Sequence, residues 1–167
     1  IGAKKTFSVF LKGALEIAPA ILLILMASSI KHIITTAGVM DTILHYMAGV
    51  VENSNPYVAV AVLFVLVTVM NFFIGSGSAK AFLIMPLVVP LADIIGVNRQ
   101  LMVLAFQFGD GFSNVFYPTN PILLISLGLA SLSYTKWFKW IWKIQLVMLL
   151  LSLLFLEIGV LIGYGPF

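Results

Sequence analysis

Long apolar runs separated by short polar breaks set the pattern of this chain, with charge-free stretches at residues 17–30, 58–79, 81–92, 101–109, 115–133 and 144–156. A helix needs about 20 apolar residues to cross the hydrocarbon of a bilayer. Some runs are therefore full spans, and the short ones carry the information. The first span is predicted over about residues 13–32, behind Lys4, Lys5 and Lys12, with Pro19 as a kink or in the first turn. Residues 35–56 mix Asp41, His45 and Glu52 with Ile43, Leu44, Met47 and Val50, the pattern of an amphipathic helix lying in the interface. That helix closes on the breaker run Glu52-Asn53-Ser54-Asn55-Pro56.

From Tyr57 an apolar helix of about 27 Å reaches Ile74 and stops at Gly75-Ser76-Gly77-Ser78. A second helix then runs from Ala79 to Gly96 through Pro86 and Pro90, giving a tight antiparallel pair, either two full spans or a re-entrant hairpin. The following segment is long enough to cross, yet its centre holds Gln107, Asp110, Ser113, Asn114, Pro118, Thr119, Asn120 and Pro121. No lipid-facing helix carries such a cluster, so a broken helix with a sheltered, unwound middle is predicted. Residues 134–143 read YTKWFKWIWK, an interfacial belt, and the last span follows at about residues 144–162. The fold expected is all-α and polytopic, in four units: residues 1–56, the hairpin 57–96, the broken helix 97–133, and 134–167.

Composition agrees with a membrane chain: 62% of residues are apolar and 9% charged, there is no cysteine, and mean hydropathy is +1.15. Soluble domains carry about 25% charge, and a nucleic-acid binder needs a basic patch that a net charge of +3 does not supply. Lys4, Lys5 and Lys12 share a predicted side with Lys136, Lys139 and Lys143, opposite Asp41, Glu52, Asp93 and Arg99, which places the lysine side in the cytoplasm.

A helix that starts inside the membrane presents unpaired N–H groups and the positive end of its dipole. Ser78 can cap a half-helix starting at Ala79, and Asn120 one starting at Pro121. The preceding stretches free carbonyl oxygens, those of Gly75, Gly77 and Pro118 among them, that suit a hard cation such as sodium. Lys80 and Asp110 are the charges expected at depth, either paired with each other or facing a solute. Asn71, Gln107, Ser113 and Asn114 can add hydrogen bonds to a ligand or glue helices together. Gaps of this kind, brought together at the midplane, form the site of secondary transporters.

The run NFFIGSGSAKAFLIMPLVVPLADIIGVNRQ, followed by AFQFGDGFSNVFYPTNPILLISLGLASLSYTKWFKWIW, resembles the C-terminal half of the C4-dicarboxylate anaerobic carrier family, a group that includes basic amino-acid antiporters and belongs to the ion-transporter superfamily. The resemblance implies a re-entrant hairpin whose tip, Gly75, Ser76, Gly77 and Ser78, meets an unwound helix between Gly109 and Pro121. It implies one inverted repeat of a carrier for small carboxylate-bearing solutes, a C4-dicarboxylate or an amino acid, with alternating access and sodium or a proton as coupling ion. No second copy of the hairpin and broken helix appears in these residues, so a second chain or a preceding repeat is expected to complete the site. The partners expected are the lipid of a bacterial cell membrane, the solute and further copies in a homo-oligomer, with no nucleic acid. The other readings are a non-transporting membrane scaffold or, through Gly109-Asp110, an intramembrane protease, which needs a second carboxylate at the same depth.

Overall fold

The computed structural model describes residues 2–52 and 54–166 and, within the first two helices, the side chains of residues 3–15, 25, 29, 32, 33, 36–39, 42, 45, 46 and 49–51. What the sequence suggests for the side chains of Pro19, Asp41, Ile43, Leu44, Met47 and Glu52, and for Asn53, lies outside the described residues. The described residues form seven α-helices and no strand: α1 (Ala3–Thr36), α2 (Val39–Glu52), α3 (Pro56–Phe73), α4 (Gly77–Ile95), α5 (Arg99–Ser113), α6 (Pro121–Leu129) and α7 (Tyr134–Leu161). Of these, α3, α4 and α7 are long and apolar enough to cross a membrane.

Both predicted interruptions are present. The chain leaves helical geometry at residues 74–76, between α3 and α4, and again at residues 114–120, between α5 and α6. Local chemistry sets each boundary. Asn55 accepts a hydrogen bond from the Val58 N–H at 3.0 Å, with Pro56 in the first turn of α3. Gly96 ends α4 at a φ of 72°, where the left-handed backbone strains any residue with a Cβ. Asn98 accepts from the Gln100 N–H at 3.1 Å and starts α5.

Packing is organised by α3. Val60, Leu63, Phe64, Val67 and Met70 lie at helical spacing on one buried face, which ends in Asn71. Ile84, Val88 and Ala92 of α4, Leu101, Met102, Ala105 and Phe106 of α5, and Leu156 of α7 complete the same core. The closest neighbours are α3 and α5, because Gly109 has no side chain: a Cβ there would lie 2.8 Å from the Phe64 carbonyl oxygen and 2.9 Å from the Val67 Cβ. In contrast to the tight antiparallel pair expected, α3 and α4 are not among the closely packed helix pairs, and α4 rests on α2 and α5 instead. Their far ends still meet through side chains, Ala59 and Leu91 packing around Val51 of α2.

Two elements differ in extent from the sequence reading. The first helix runs on from the predicted span in both directions as α1. The aromatic belt and the last span are one continuous helix, α7, because nothing between Lys143 and Ile144 breaks it. α2 connects the end of α1 to the start of α3, and α1 packs against α6. Outward-facing side chains are greasy, Phe82 and Trp140 being largely exposed, as befits a surface solvated by lipid.

Candidate functional site

The two interruptions face each other across a polar cluster at the end of the buried α3 face. Lys80, one turn into α4, is fully buried at 0% exposure and forms an ion pair with Asp110 Oδ1 of α5, whose side chain is 21% exposed. Its ammonium also donates to Asn71 Oδ1. Asn71, 2% exposed, has its amide nitrogen at hydrogen-bond distance from three acceptors: Ser113 Oγ at 2.7 Å, Asn114 Oδ1 at 3.1 Å and the Asp110 carbonyl at 3.1 Å. Two hydrogens serve three acceptors, so one bond is shared. Asn114 Oδ1 also accepts from the Asn120 amide at 2.8 Å, and Asn120 Oδ1 accepts from the Ile122 and Leu123 N–H groups at 2.9 and 3.3 Å. One continuous chain of hydrogen bonds thus links the start of α4, the end of α3, the end of α5 and the start of α6.

The break between α5 and α6 has four of its seven carbonyls paired, those of Val115, Phe116, Tyr117 and Asn120, as backbone sheltered from water favours. Gln145 donates to the Phe112 carbonyl at 2.8 Å, Trp137 to that of Val115 at 2.9 Å and Tyr134 to that of Phe116 at 2.7 Å, all from α7. The Asn120 N–H reaches the Tyr117 carbonyl at 3.2 Å, and the Tyr117 hydroxyl ties the break to α3 through the Thr68 carbonyl at 3.0 Å. Phe72 meets the Tyr117 ring edge-on, centroids 5.4 Å apart. Among the described residues, the Pro118 and Thr119 carbonyls have no hydrogen-bond partner, and the buried Thr119 hydroxyl has none either.

The start of α4 differs in one respect from the sequence reading: Ser76, not Ser78, is the cap, its Oγ 3.4 Å from the Ala79 N–H, and α4 begins at Gly77. Gly75, Ser76 and Ser78 are exposed and Gly77 is half-buried. A Cβ on Gly77 would lie 2.8 Å from Asp110 Oδ2, so this carboxylate sits against the first turn of α4, where the helix dipole favours an anion. Asn120 caps α6 with Pro121 in the first turn, at the residues foreseen. Gln107 is exposed on α5 and takes no part in the cluster, because the buried face of that helix is set by Met102, Ala105, Phe106 and Gly109. Pro118 and Thr119 are half-buried in the break.

Beside the cluster opens a cavity of about 410 Å³, lined by Gly75 from the hairpin tip, Asn114 and Val115 from the break, and Asn120, Pro121, Ile122, Leu123 and Ser126 around the start of α6. Its lining is part polar, through Asn114, Asn120 and Ser126, and part apolar. Sequence reasoning missed Tyr134, Trp137, Gln145 and Tyr117, the side chains that hold the break open. A lone buried glutamine in an otherwise apolar span was the available signal for Gln145. For Trp137, an aromatic that must pair its N–H when packed gave a weaker one.

The model of the DcuC family, C4-dicarboxylate anaerobic carrier, matches residues 1–161. The Escherichia coli (strain K12) protein named "Putative basic amino acid antiporter YfcC" is 43% identical over 138 residues, which cover 79% of this chain and 27% of that protein. A Haemophilus influenzae (strain ATCC 51907 / DSM 11121 / KW20 / Rd) protein named "Uncharacterized protein" is 26% identical over 160 residues, 96% of this chain and 31% of its own length. The chain thus spans less than a third of either relative. No solved structure matches it.

Proposed function

Because this chain belongs to the C4-dicarboxylate anaerobic carrier family and is an integral membrane protein of the transporter type, we propose that it is one repeat of a secondary active carrier whose solute bears a carboxylate. The observation that carries this reading is the meeting of the two helix interruptions over a single cavity. The hairpin tip brings Gly75 to it and the broken helix brings the start of α6, and Asn71, Asn114 and Asn120 fix their relation. The start of α6 favours an anion through its dipole, its first N–H groups being taken by Asn120. The unpartnered Thr119 hydroxyl and the Pro118 and Thr119 carbonyls are hydrogen-bonding capacity left over for a solute or an ion. We assign the solute to the class of C4-dicarboxylates and amino acids, held jointly with a second repeat from a preceding segment or another chain.

A re-entrant hairpin suits the dimensions. The residue of α7 level with the end of α5 is Gln145, and from there back to Tyr134 the helix continues for about 16 Å on the side of the break. On this reading the hairpin tip stops short of the end of α7. Alternating access follows if the tip and break move as one body against the second repeat, exposing the cavity to each side in turn. The same reading places the carrier in a bacterial cell membrane as a homo-oligomer.

Gly75 supplies the test. It lines the cavity and a Cβ there meets nothing within 4 Å, so Gly75→Leu fills the cavity without disturbing the fold. In vesicles containing the complete carrier, labelled dicarboxylates and amino acids are offered to wild type and variant. Uptake by wild type that Gly75→Leu abolishes, with unchanged expression and melting temperature, supports the reading. Undiminished uptake by a well-folded Gly75→Leu protein refutes the cavity as solute site.

A further inference from the structure

We propose that the Lys80 ammonium is a built-in monovalent cation that takes the place of a bound metal ion at the junction of hairpin tip and broken helix, so that this repeat works without sodium. The inference rests on the carrier reading above and deepens it. A cation site in such a junction needs oxygens that converge on a point, and a hard ion takes about six of them. Here the two side-chain oxygens that converge, Asn71 Oδ1 and Asp110 Oδ1, are both directed at Lys80 Nζ. Asp110 is the one acid of the cluster, and its other oxygen already faces the start of α4. The carbonyls of Val115, Phe116 and Tyr117 are taken by Trp137, Tyr134 and the Asn120 N–H. Carbonyls that accept no hydrogen bond remain at Asn114, Pro118 and Thr119 and at the end of α3 through Gly75, but the carboxylate that would complete a metal shell with them is committed to Lys80.

The lysine is built for the task. It lies completely buried one turn past the hairpin tip, and its tether carries the charge from α4 across to groups on α3 and α5. A metal ion bound between the same oxygens would clamp the same three helices, but only while the ion is present. A covalent cation makes the clamp permanent, leaving the transport cycle to be driven by a proton or by exchange of solutes.

Truncation of the side chain should convert the tethered cation into an exchangeable one. Lys80→Ala opens a space the size of a short alkylammonium between Asn71 and Asp110. The complete carrier, wild type and Lys80→Ala, is melted in detergent in choline chloride, sodium chloride and propylammonium chloride at equal ionic strength. The wild type should melt within about 1 °C in all three, whereas propylammonium, saturably, should raise the variant's midpoint by about 3 °C or more over choline. Lys80→Met, which keeps the stem and blocks the space, should show no such gain. A Lys80→Ala protein recovered folded only when propylammonium is present gives the same support. The proposal is overturned if propylammonium leaves Lys80→Ala unchanged, if the variant cannot be recovered in any of the salts, or if sodium saturably stabilises wild type and this is lost with Lys80. The melting readout needs no solute. Absence of uptake by the wild-type carrier would therefore refute the transport reading alone, while the melting curves still decide the role of Lys80.

Discussion

Two glycines of α5, two residues apart, should respond to the same substitution with opposite signs. Exchanging glycine for alanine inside a helix gains up to about 1 kcal/mol from backbone entropy. At Gly111 a Cβ meets nothing within 4 Å, so Gly111→Ala should stabilise the protein by up to that amount. At Gly109 the Cβ would come within 2.8 Å of the Phe64 carbonyl oxygen, 2.9 Å of the Val67 Cβ and 3.1 Å of the Thr68 nitrogen. Two of the three are backbone atoms of α3 and cannot rotate away, so α5 must retreat. Overpacking of this kind costs about 1–3 kcal/mol. Because the helix-propensity gain is common to both variants, the difference between them isolates the packing cost. Gly111→Ala should melt above wild type and Gly109→Ala below it, the gap corresponding to that cost, read from the tryptophan fluorescence of α7 in the complete carrier. Gly109→Ala should also weaken solute uptake, since Asp110 and Ser113 ride on the displaced helix. Equal melting temperatures for the two variants would show that α3 and α5 do not meet at Gly109 as described.

Other consequences are as specific. Removing one charge of the buried pair, as in Lys80→Met or Asp110→Asn, should cost about 3–5 kcal/mol, while the double variant should recover most of it, a coupling that a double-mutant cycle on melting data would measure. Asn120→Ala should cost about 1 kcal/mol for the lost cap, and Asn120→Asp, which keeps the acceptor for Ile122 and Leu123 but not the donor to Asn114, should keep stability better than uptake. Tyr134→Phe strands the Phe116 carbonyl and should lower stability by about 1–3 kcal/mol, seen as an earlier thermal transition. The exposed Asp93–Arg99 pair, although bidentate at 2.7 Å, should tolerate Asp93→Asn with no measurable change in melting or uptake.

Helix breaks were legible in the sequence because lipid makes them conspicuous: glycine, serine, asparagine and proline in a run of apolar residues have no reading as a regular lipid-facing helix. Asn120-Pro121 announced its helix start fully, since cap and first-turn proline reinforce one another. At the tip, three consecutive small residues offered more than one cap, and only the third dimension selected Ser76. Gln107 shows the limit of polarity as a signal. It lies within a turn of Asp110, but a residue type does not say which face of a helix it occupies. The looseness of α3 against α4 was equally invisible, because it depends on α5 entering beside α3 at Gly109. Glycine there looked the same as the glycines that meet nothing.

Charge at the junction also argues for the sign of the ligand. Lys80 and Asp110 neutralise one another, and the second carboxylate oxygen of Asp110 lies against the start of α4. Each helix start contributes roughly half a positive charge. At the cavity the start of α6 meets the end of α5, so their half-charges oppose one another, and with the ion pair summing to zero it is the direction of the α6 dipole, not a net charge, that favours an anion. On the carrier reading proposed above, a solute would turn a carboxylate toward the start of α6. If so, Asp110→Asn in a Lys80→Met background should leave the preference for carboxylates intact, because the pair contributes no net charge. Replacing Ser126, which faces the cavity, by aspartate should weaken it sharply. Competition of labelled solute uptake by mono- and dicarboxylates against their amides reads out both; amides that compete as well as acids would remove the electrostatic argument.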